Sequence, residues 1–216
     1  MNTFMSNPET ENTYKAGFIA VIGRPNVGKS TLINAILGQK IAAVSPKPQT
    51  TRKQQLGILT SDQAQMIFMD TPGLHIAHHK LGDYMNKVAE LTLFDGDLIL
   101  WIVDVSVQPT EEDRLIAEKI SAFSRRPALL IVLNKIDLIS PAKLLQHQVL
   151  YQNLVPESES FPLSAKLQKG VAELLQVIIE ELPVGDPYYD EEQVTDYYER
   201  DIAVELIREA DRKSVV

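Results

Sequence analysis

The sequence predicts a three-layer α/β fold, in which helices cover both faces of a mainly parallel sheet with one antiparallel edge strand. Short apolar runs alternate with segments of helical periodicity along most of the 216 residues. Two neighbouring runs are joined by a turn too short for a helix, and the alternation stops at Pro183. In such a fold, ligand loops lie at the carboxyl ends of the strands.

The first half of the pattern contains four strands and one clear helix. The run at 17–22 is apolar enough for a buried strand, and 29–37 has apolar residues at helical spacing. Strands are expected at 53–60 and 63–69, and the tight turn between them requires an antiparallel pair. A helix should then lead to a central strand at 97–103.

The second half continues the alternation of helices and strands. Thr110 with Asp113 predicts a capping box that opens a helix, and Ser140 followed by Pro141 predicts the start of another. His147 should lie on the surface of that second helix, whereas Trp101 should lie in the core. The remaining predicted elements are strands at 128–133 and 161–163 and a helix at 171–182.

Composition limits the class of protein. The chain has no cysteine, which excludes a disulfide framework and a thiolate metal site. No apolar run approaches the roughly 20 residues that span a bilayer, and the first residues lack the apolar core of a signal peptide. We therefore expect a soluble, cytoplasmic protein.

Charge divides the chain into two parts. Residues 1–182 carry a net charge of −2 and residues 183–216 a net charge of −6. Neither part has the clustered Lys and Arg that attract a nucleic-acid backbone. We predict one domain at 14–182, followed at 183–216 by an acidic linker and the start of an incomplete second domain.

A phosphate-binding loop is predicted between the first strand and the first helix. Residues 23–30 read G-R-P-N-V-G-K-S and match the pattern G-x-x-x-x-G-K-[ST] in its required context. Glycines let the backbone N–H groups approach phosphate oxygens, Lys29 adds a charge, and Ser30 offers a hydroxyl to Mg²⁺. The predicted ligand-binding residues here are Gly23, Arg24, Pro25, Asn26, Val27, Gly28, Lys29, Ser30 and Thr31.

A second motif, which begins with an acidic residue, follows the strand at 63–69. Asp70 stands at the carboxyl end of that strand, where it can hold Mg²⁺ through water, and the Gly73 N–H can meet a γ-phosphate. The predicted residues are Asp70, Thr71, Pro72 and Gly73.

The N-K-I-D string at 134–137 predicts the choice of base. A carboxylate at Asp137 can accept both N1–H and the 2-amino group of guanine, and adenine offers no such pair of donors. Asn134 is a donor either to the base edge or to the phosphate loop, and the stem of Lys135 covers the base plane. A backbone N–H within Ser164, Ala165 and Lys166 is expected to meet the guanine O6.

These motifs, in this order, resemble the translation-factor class of P-loop GTPases. Three further strings resemble the bacterial Era family, namely P-K-P-Q-T-T-R at 46–52, D-T-P-G-L-H at 70–75 and E-Q-V-T-D at 192–196. The resemblance implies that the first switch contains Gln49, Thr50 and Thr51, and that Thr51 joins Ser30 and Asp70 around Mg²⁺. It implies catalytic roles for Lys29, Thr51 and Gly73.

The resemblance also implies a function. Members bind GTP and GDP, hydrolyse GTP, and act in small ribosomal subunit assembly with 16S rRNA through a KH domain. The G-x-x-G loop of a KH domain is not found after residue 182, so we expect RNA binding to be weakened or lost. Peripheral association with the inner face of the cell membrane and a monomeric state are further expectations.

Hydrolysis is expected to be slow. The residue after Gly73 is Leu74, whereas many GTPases have there a glutamine that orients the attacking water. Families with this apolar substitution often use K⁺, held partly by an asparagine at the position of Asn26. Two alternatives stay open: a guanine-nucleotide-binding module with negligible turnover, and an ATP-using P-loop kinase, which the residues at 134–137 disfavour.

Overall fold

The structure, a computed structural model, describes residues 13–39, 55–70, 96–122, 127–156 and 158–196. Its strands are β1 (Lys15–Ile22), β2 (Gln55–Thr60), β3 (Ala64–Asp70), β4 (Leu98–Asp104), β5 (Ala128–Asn134) and β6 (Glu159–Pro162). They form one sheet in the order β2-β3-β1-β4-β5-β6. Only the edge pair β2 with β3 is antiparallel, so the predicted fold class is confirmed.

Helices cover both faces of this sheet. They are α1 (Lys29–Leu37), α2 (Glu111–Ser121), α3 (Pro141–Gln152) and α4 (Val171–Glu181). One core cluster joins α1 and α4 to the sheet, and the other joins α2 and α3 to the opposite face. The helix predicted between β3 and β4 falls at 71–95, outside the described residues.

Three strands extend one residue beyond their predicted apolar runs. β3, β4 and β5 end in Asp70, Asp104 and Asn134, so each delivers a polar side chain to the same edge of the sheet. At its start, β4 is shorter than predicted. Asp97 precedes it, and its carboxylate accepts a hydrogen bond of 2.8 Å from the Phe18 N–H.

The predicted helix starts are present. Thr110 and Asp113 form a reciprocal capping box at α2, and the Ser140 hydroxyl accepts from the Lys143 N–H at α3. The expected position of His147 was wrong: it is buried, with Nδ1 2.7 Å from the Val105 carbonyl oxygen. The sequence around His147 does not indicate that the Val105 carbonyl, just after β4, lies within hydrogen-bonding distance of its ring.

The segment that follows α4 lies against the sheet as far as residue 196. Gln65 on β3 is fully buried, and its Oε1 accepts from the N–H groups of Tyr188 and Tyr189 at 2.7 and 2.9 Å. On the edge strand, the Ile58 N–H donates to the Val194 carbonyl at 2.8 Å. The domain boundary near residue 183 stays a prediction. None of the helices in the described ranges has the length and apolarity to cross a membrane.

Candidate functional site

The predicted phosphate loop at 23–30 connects β1 to α1 and lies beside the carboxyl ends of β3, β4 and β5. Its two glycines are required by their surroundings. Gly23 has φ +149°, and a Cβ there would lie 2.3 Å from the Ile102 carbonyl oxygen. Gly28 has φ +104°, and a Cβ there would lie 2.4 Å from Asn134 Nδ2. A side chain at either position would therefore force the loop off the sheet edge.

Lys29 is the first residue of α1, and its ammonium group is held inside the loop. Nζ donates to the carbonyl oxygens of Gly23 and Arg24 at 3.0 and 3.2 Å, and the residue is buried. Burial lowers the pKa of Lys29 to about 8, although the charge of Asp70 acts in the opposite direction. The loop thus holds a desolvated cation at a helix N-terminus, an environment that favours a bound anion.

The lowered pKa predicts that phosphate binding takes up a proton in alkaline solution. Free Lys29 loses its proton above about pH 8, whereas a bound phosphate stabilises the charged form and raises the pKa again. At about pH 9, titration calorimetry of GDP in buffers of different ionisation enthalpy should detect an uptake approaching one proton. A Lys29→Arg variant, whose guanidinium does not titrate, should show none. Equal uptake in both proteins would contradict the assignment.

Oxygen ligands suitable for Mg²⁺ lie next to Lys29. The Ser30 hydroxyl donates to Asp70 Oδ2 at 3.0 Å, and Asp70 is buried at the end of β3. A hydroxyl and a carboxylate are hard oxygen donors of the kind that Mg²⁺ prefers, so these two residues fit that ion. The third predicted ligand, Thr51, lies outside the described residues.

The Asn134 amide group connects two loops. Its Nδ2 donates to the Val27 carbonyl at 2.8 Å, and its Oδ1 accepts from the N–H groups of Lys135 and Ala165 at 2.8 and 3.0 Å. Of the two roles predicted for Asn134, the contact with the phosphate loop is the one observed. The Ala165 N–H donates to this amide, so it is directed at the protein and not at a base.

Lys135 supports the same loop from another side. Its Nζ donates to the Asn26 carbonyl at 2.8 Å and to Asp104 Oδ2 at 2.7 Å. Burial by itself would raise the pKa of Asp104, but hydrogen bonds from Lys135 and Ser106 outweigh it and hold that pKa below its ordinary value. Both Asn26 and Lys135 have positive φ, +64° and +69°.

Asp137 stands apart from these supporting contacts. It is exposed, and its Oδ1 accepts a hydrogen bond of 2.5 Å from the hydroxyl of the fully buried Ser164. One carboxylate oxygen is thus fixed by the protein, while the side chain as a whole stays exposed to solvent. Lys166, in the same loop as Ser164, is exposed.

Arg24 faces a pair of acids that sequence reasoning did not assign to the site. Its Nε lies 3.3 Å from Asp113 Oδ2, and its terminal nitrogen lies 4.0 Å from Asp104 Oδ2. Asp104 could have been found from its place at the end of a central strand. Asp113 was predicted only as a helix cap, because nothing in the sequence relates α2 to the phosphate loop.

The remaining predicted site residues fall in two groups. Pro25, inside the loop, and Thr31, in the first turn of α1, are partly buried. The others lie outside the described residues: Gln49, Thr50, Thr51, Thr71, Pro72 and Gly73.

The sequence profile of one family, described as 50S ribosome-binding GTPase, matches residues 18–135, more than half of the chain. The chain belongs to this GTPase family. The matched range contains the phosphate loop, Asp70 and the first two residues of the N-K-I-D string, whereas Asp137 lies just beyond it.

Within this GTPase family, the predicted resemblance to Era is confirmed. The chain is 46% identical to the GTPase Era of Clostridium kluyveri over 195 residues, which cover 90% of this chain and 66% of that protein. The chain therefore spans slightly less than two thirds of the relative's length.

Two solved Era structures are also similar to this GTPase-family chain. One is Era in complex with MgGDPNP and nucleotides 1506–1542 of 16S ribosomal RNA, with a TM-score of 0.85, 38% identity, and coverage of 91% of this chain and 66% of that one. The other is a tyrosine-to-alanine variant of Aquifex aeolicus Era bound to GDP and AlF4⁻, with a TM-score of 0.84, 37% identity, and coverage of 90% and 66%.

Proposed function

We propose that this chain binds GTP and GDP together with Mg²⁺, hydrolyses GTP, and acts as a nucleotide-dependent switch in small ribosomal subunit assembly. One observation carries the proposal. A buried Lys29 inside a glycine loop and an exposed, oriented Asp137 lie at the same edge of one sheet, and the Asn134 amide links their loops.

The phosphates would bind on the loop at 23–30. The positive φ of Gly23, Asn26 and Gly28 shapes a concave backbone, and Lys29 supplies the charge for the β and γ phosphates. Ser30 and Asp70 would hold Mg²⁺, with Thr51 added when a γ-phosphate is present. When bound there, Mg²⁺ would neutralise charge that develops on the phosphate oxygens.

The base would bind against Asp137. A carboxylate fixed by Ser164 can accept from both N1–H and the 2-amino group of guanine, so the proposed site would prefer guanine over adenine. The stem of Lys135 is proposed to cover the base plane, and a backbone N–H at 164–166 other than that of Ala165 to meet the guanine O6. An ATP-using kinase is disfavoured on these grounds.

Hydrolysis by the isolated chain should be slow and should respond to K⁺. Leu74 cannot hydrogen-bond to the attacking water, so Thr51, the Gly73 N–H or a partner would orient it. We propose that K⁺ binds near Asn26 and stimulates turnover. GTPase rates in K⁺ and Na⁺ buffers of matched ionic strength test this: a faster rate in K⁺ is expected, and equal rates would count against the site.

The ribosomal partner is proposed from the relatives. A similar Era structure contains a 16S rRNA segment, and the proposed partner of this chain is the same region of the small subunit. RNA affinity is expected to depend on a second domain beyond residue 183. Peripheral association with the inner face of the cell membrane and a monomeric state are separate parts of the proposal. A filter-binding assay with 16S rRNA fragments tests the RNA proposal, and absence of binding would limit the chain to its nucleotide function.

Single-turnover hydrolysis, with and without small ribosomal subunits, tests the enzymatic proposal against the alternative of a binding module. Slow release of phosphate from bound GTP, accelerated by subunits, is the expected result. Stable binding of GTP with no release of phosphate under either condition would favour the binding module.

A further inference from the structure

We propose that Asp113 is a positioning residue for nucleotide binding, and that it acts by holding the phosphate loop through Arg24. The inference rests on the proposed function, because it concerns the loop that would receive the phosphates. In this proposal the Arg24 side chain points away from the ligand and fixes the phosphate loop to α2.

Asp113 has a fully buried carboxylate that both caps α2 and pairs with Arg24. At the start of α2 its Oδ2 accepts from the Thr110 N–H and hydroxyl at 2.9 and 2.8 Å, which completes the helix cap. The same oxygen accepts from Arg24 Nε at 3.3 Å, and the Tyr151 hydroxyl lies 3.5 Å from it. Its Oδ1 has no hydrogen-bond partner among the described residues.

A helix cap does not require a buried charge. Thr110 could be satisfied by a neutral acceptor, whereas burying an ionised carboxylate is unfavourable unless a cation compensates for it. Arg24 supplies that cation, and its side chain is itself largely buried. The ion pair therefore joins α2 directly to the phosphate loop.

Arg24 is one of three anchors on the short stretch between the two loop glycines. Lys135 holds the Asn26 carbonyl and Asn134 holds the Val27 carbonyl, both from the end of β5. The Arg24 side chain extends to α2, and its own carbonyl accepts from Lys29 Nζ at 3.2 Å. Release of Arg24 would therefore loosen the backbone that positions Lys29.

The expected effect is on phosphate affinity more than on folding. A loop fixed in its binding geometry does not lose conformational freedom when the ligand arrives. If the released loop adopts that geometry only about one tenth of the time, nucleotide affinity falls about tenfold. Recognition of the base at Asp137 should not change, because that carboxylate is oriented by Ser164 and not by α2.

The experiment compares Asp113→Asn, Arg24→Gln and the double variant with the unaltered chain. Titration calorimetry at 25 °C gives the Kd of MgGDP, and ligand-observed NMR gives the weak binding of guanosine. Each single variant should bind MgGDP about tenfold more weakly than the unaltered chain. The double variant should show no further loss of affinity beyond that of the single variant with the lower affinity, because both changes break the same ion pair. All four proteins should bind guanosine equally.

Thr110→Ala is the matched control. It removes the capping hydroxyl from α2 but leaves the Arg24 pair intact, so it should lower the thermal midpoint without changing the Kd of MgGDP. Arg24→Lys, which keeps a cation near Asp113, should restore part of the affinity lost in Arg24→Gln. If Asp113→Asn does not fold, Asp113→Ser, which keeps a hydroxyl near Thr110 but removes the charge, takes its place in the comparison with the Arg24 variants.

Two results would overturn the inference. If Arg24 contacts phosphate directly, Arg24→Gln weakens binding while Asp113→Asn leaves it unchanged. If Asp113 has only a structural role, Asp113→Asn lowers the thermal midpoint as Thr110→Ala does, with no change in the Kd of MgGDP. Failure of the proposed function itself looks different, since then the unaltered, folded chain binds no GDP.

Discussion

An Asp137→Asn variant is expected to lose guanine nucleotides and gain xanthine nucleotides. The amide can no longer accept from both N1–H and the 2-amino group of guanine, but it can donate to the 2-oxo group of xanthine. The loss of two charge-assisted hydrogen bonds is worth about 3 kcal/mol, so GDP affinity should fall at least about hundredfold. Calorimetry with GDP and with xanthosine diphosphate measures both changes.

The control for this variant is Glu173→Gln, which removes the same charge from an exposed position on α4. It should leave both affinities unchanged. Unaltered selectivity for guanine in Asp137→Asn would refute the assignment of Asp137, and the Ser164 hydrogen bond would then serve only the local loop.

A Lys29→Met variant is expected to lose phosphate binding while it remains folded. Methionine is unbranched like lysine and one atom shorter, but it provides no charge for the phosphates, and the loss of about 3 kcal/mol lowers GDP affinity roughly hundredfold. The free energy of unfolding should change little. Removal of a buried charge stabilises the folded chain, and this offsets the loss of the hydrogen bonds from Nζ to the carbonyl oxygens of Gly23 and Arg24. Calorimetry and a thermal melt of the same sample separate the two effects.

Lys143→Met, an equivalent change at an exposed position on α3, serves as the comparison. It should bind GDP like the unaltered chain. If Lys29→Met binds GDP with unaltered affinity, Lys29 has no contact with phosphate, and the role of the loop would have to be reconsidered.

The sequence was most informative where a pattern determines local geometry. The spacing of apolar residues predicted α1 with its observed bounds, and the tight turn after Thr60 predicted the antiparallel pair of β2 and β3. The structure adds a reason for the two loop glycines that the sequence did not indicate, because a Cβ at Gly23 would meet the Ile102 carbonyl oxygen and one at Gly28 would meet Asn134.

Contacts between elements distant in sequence were not predictable in this way. Asp113 reads as a cap, and its partner Arg24 lies 89 residues away. His147 reads as a surface residue until α3 packs beneath the carbonyl of Val105, 42 residues earlier. Local periodicity carries no information on such pairs. The hydrogen bonds of the buried Gln65 with the N–H groups of Tyr188 and Tyr189 are a further example. Nothing in the sequence around Gln65 distinguishes it from other residues of a strand.

Titration calorimetry with MgGDP on the folded, unaltered chain is the decisive measurement. We expect saturable binding of one GDP per chain and much weaker binding of ADP, because we assign the phosphates to Lys29 and the guanine to Asp137. A cooperative thermal melt with no heat of binding for either GDP or GTP would rule out both assignments.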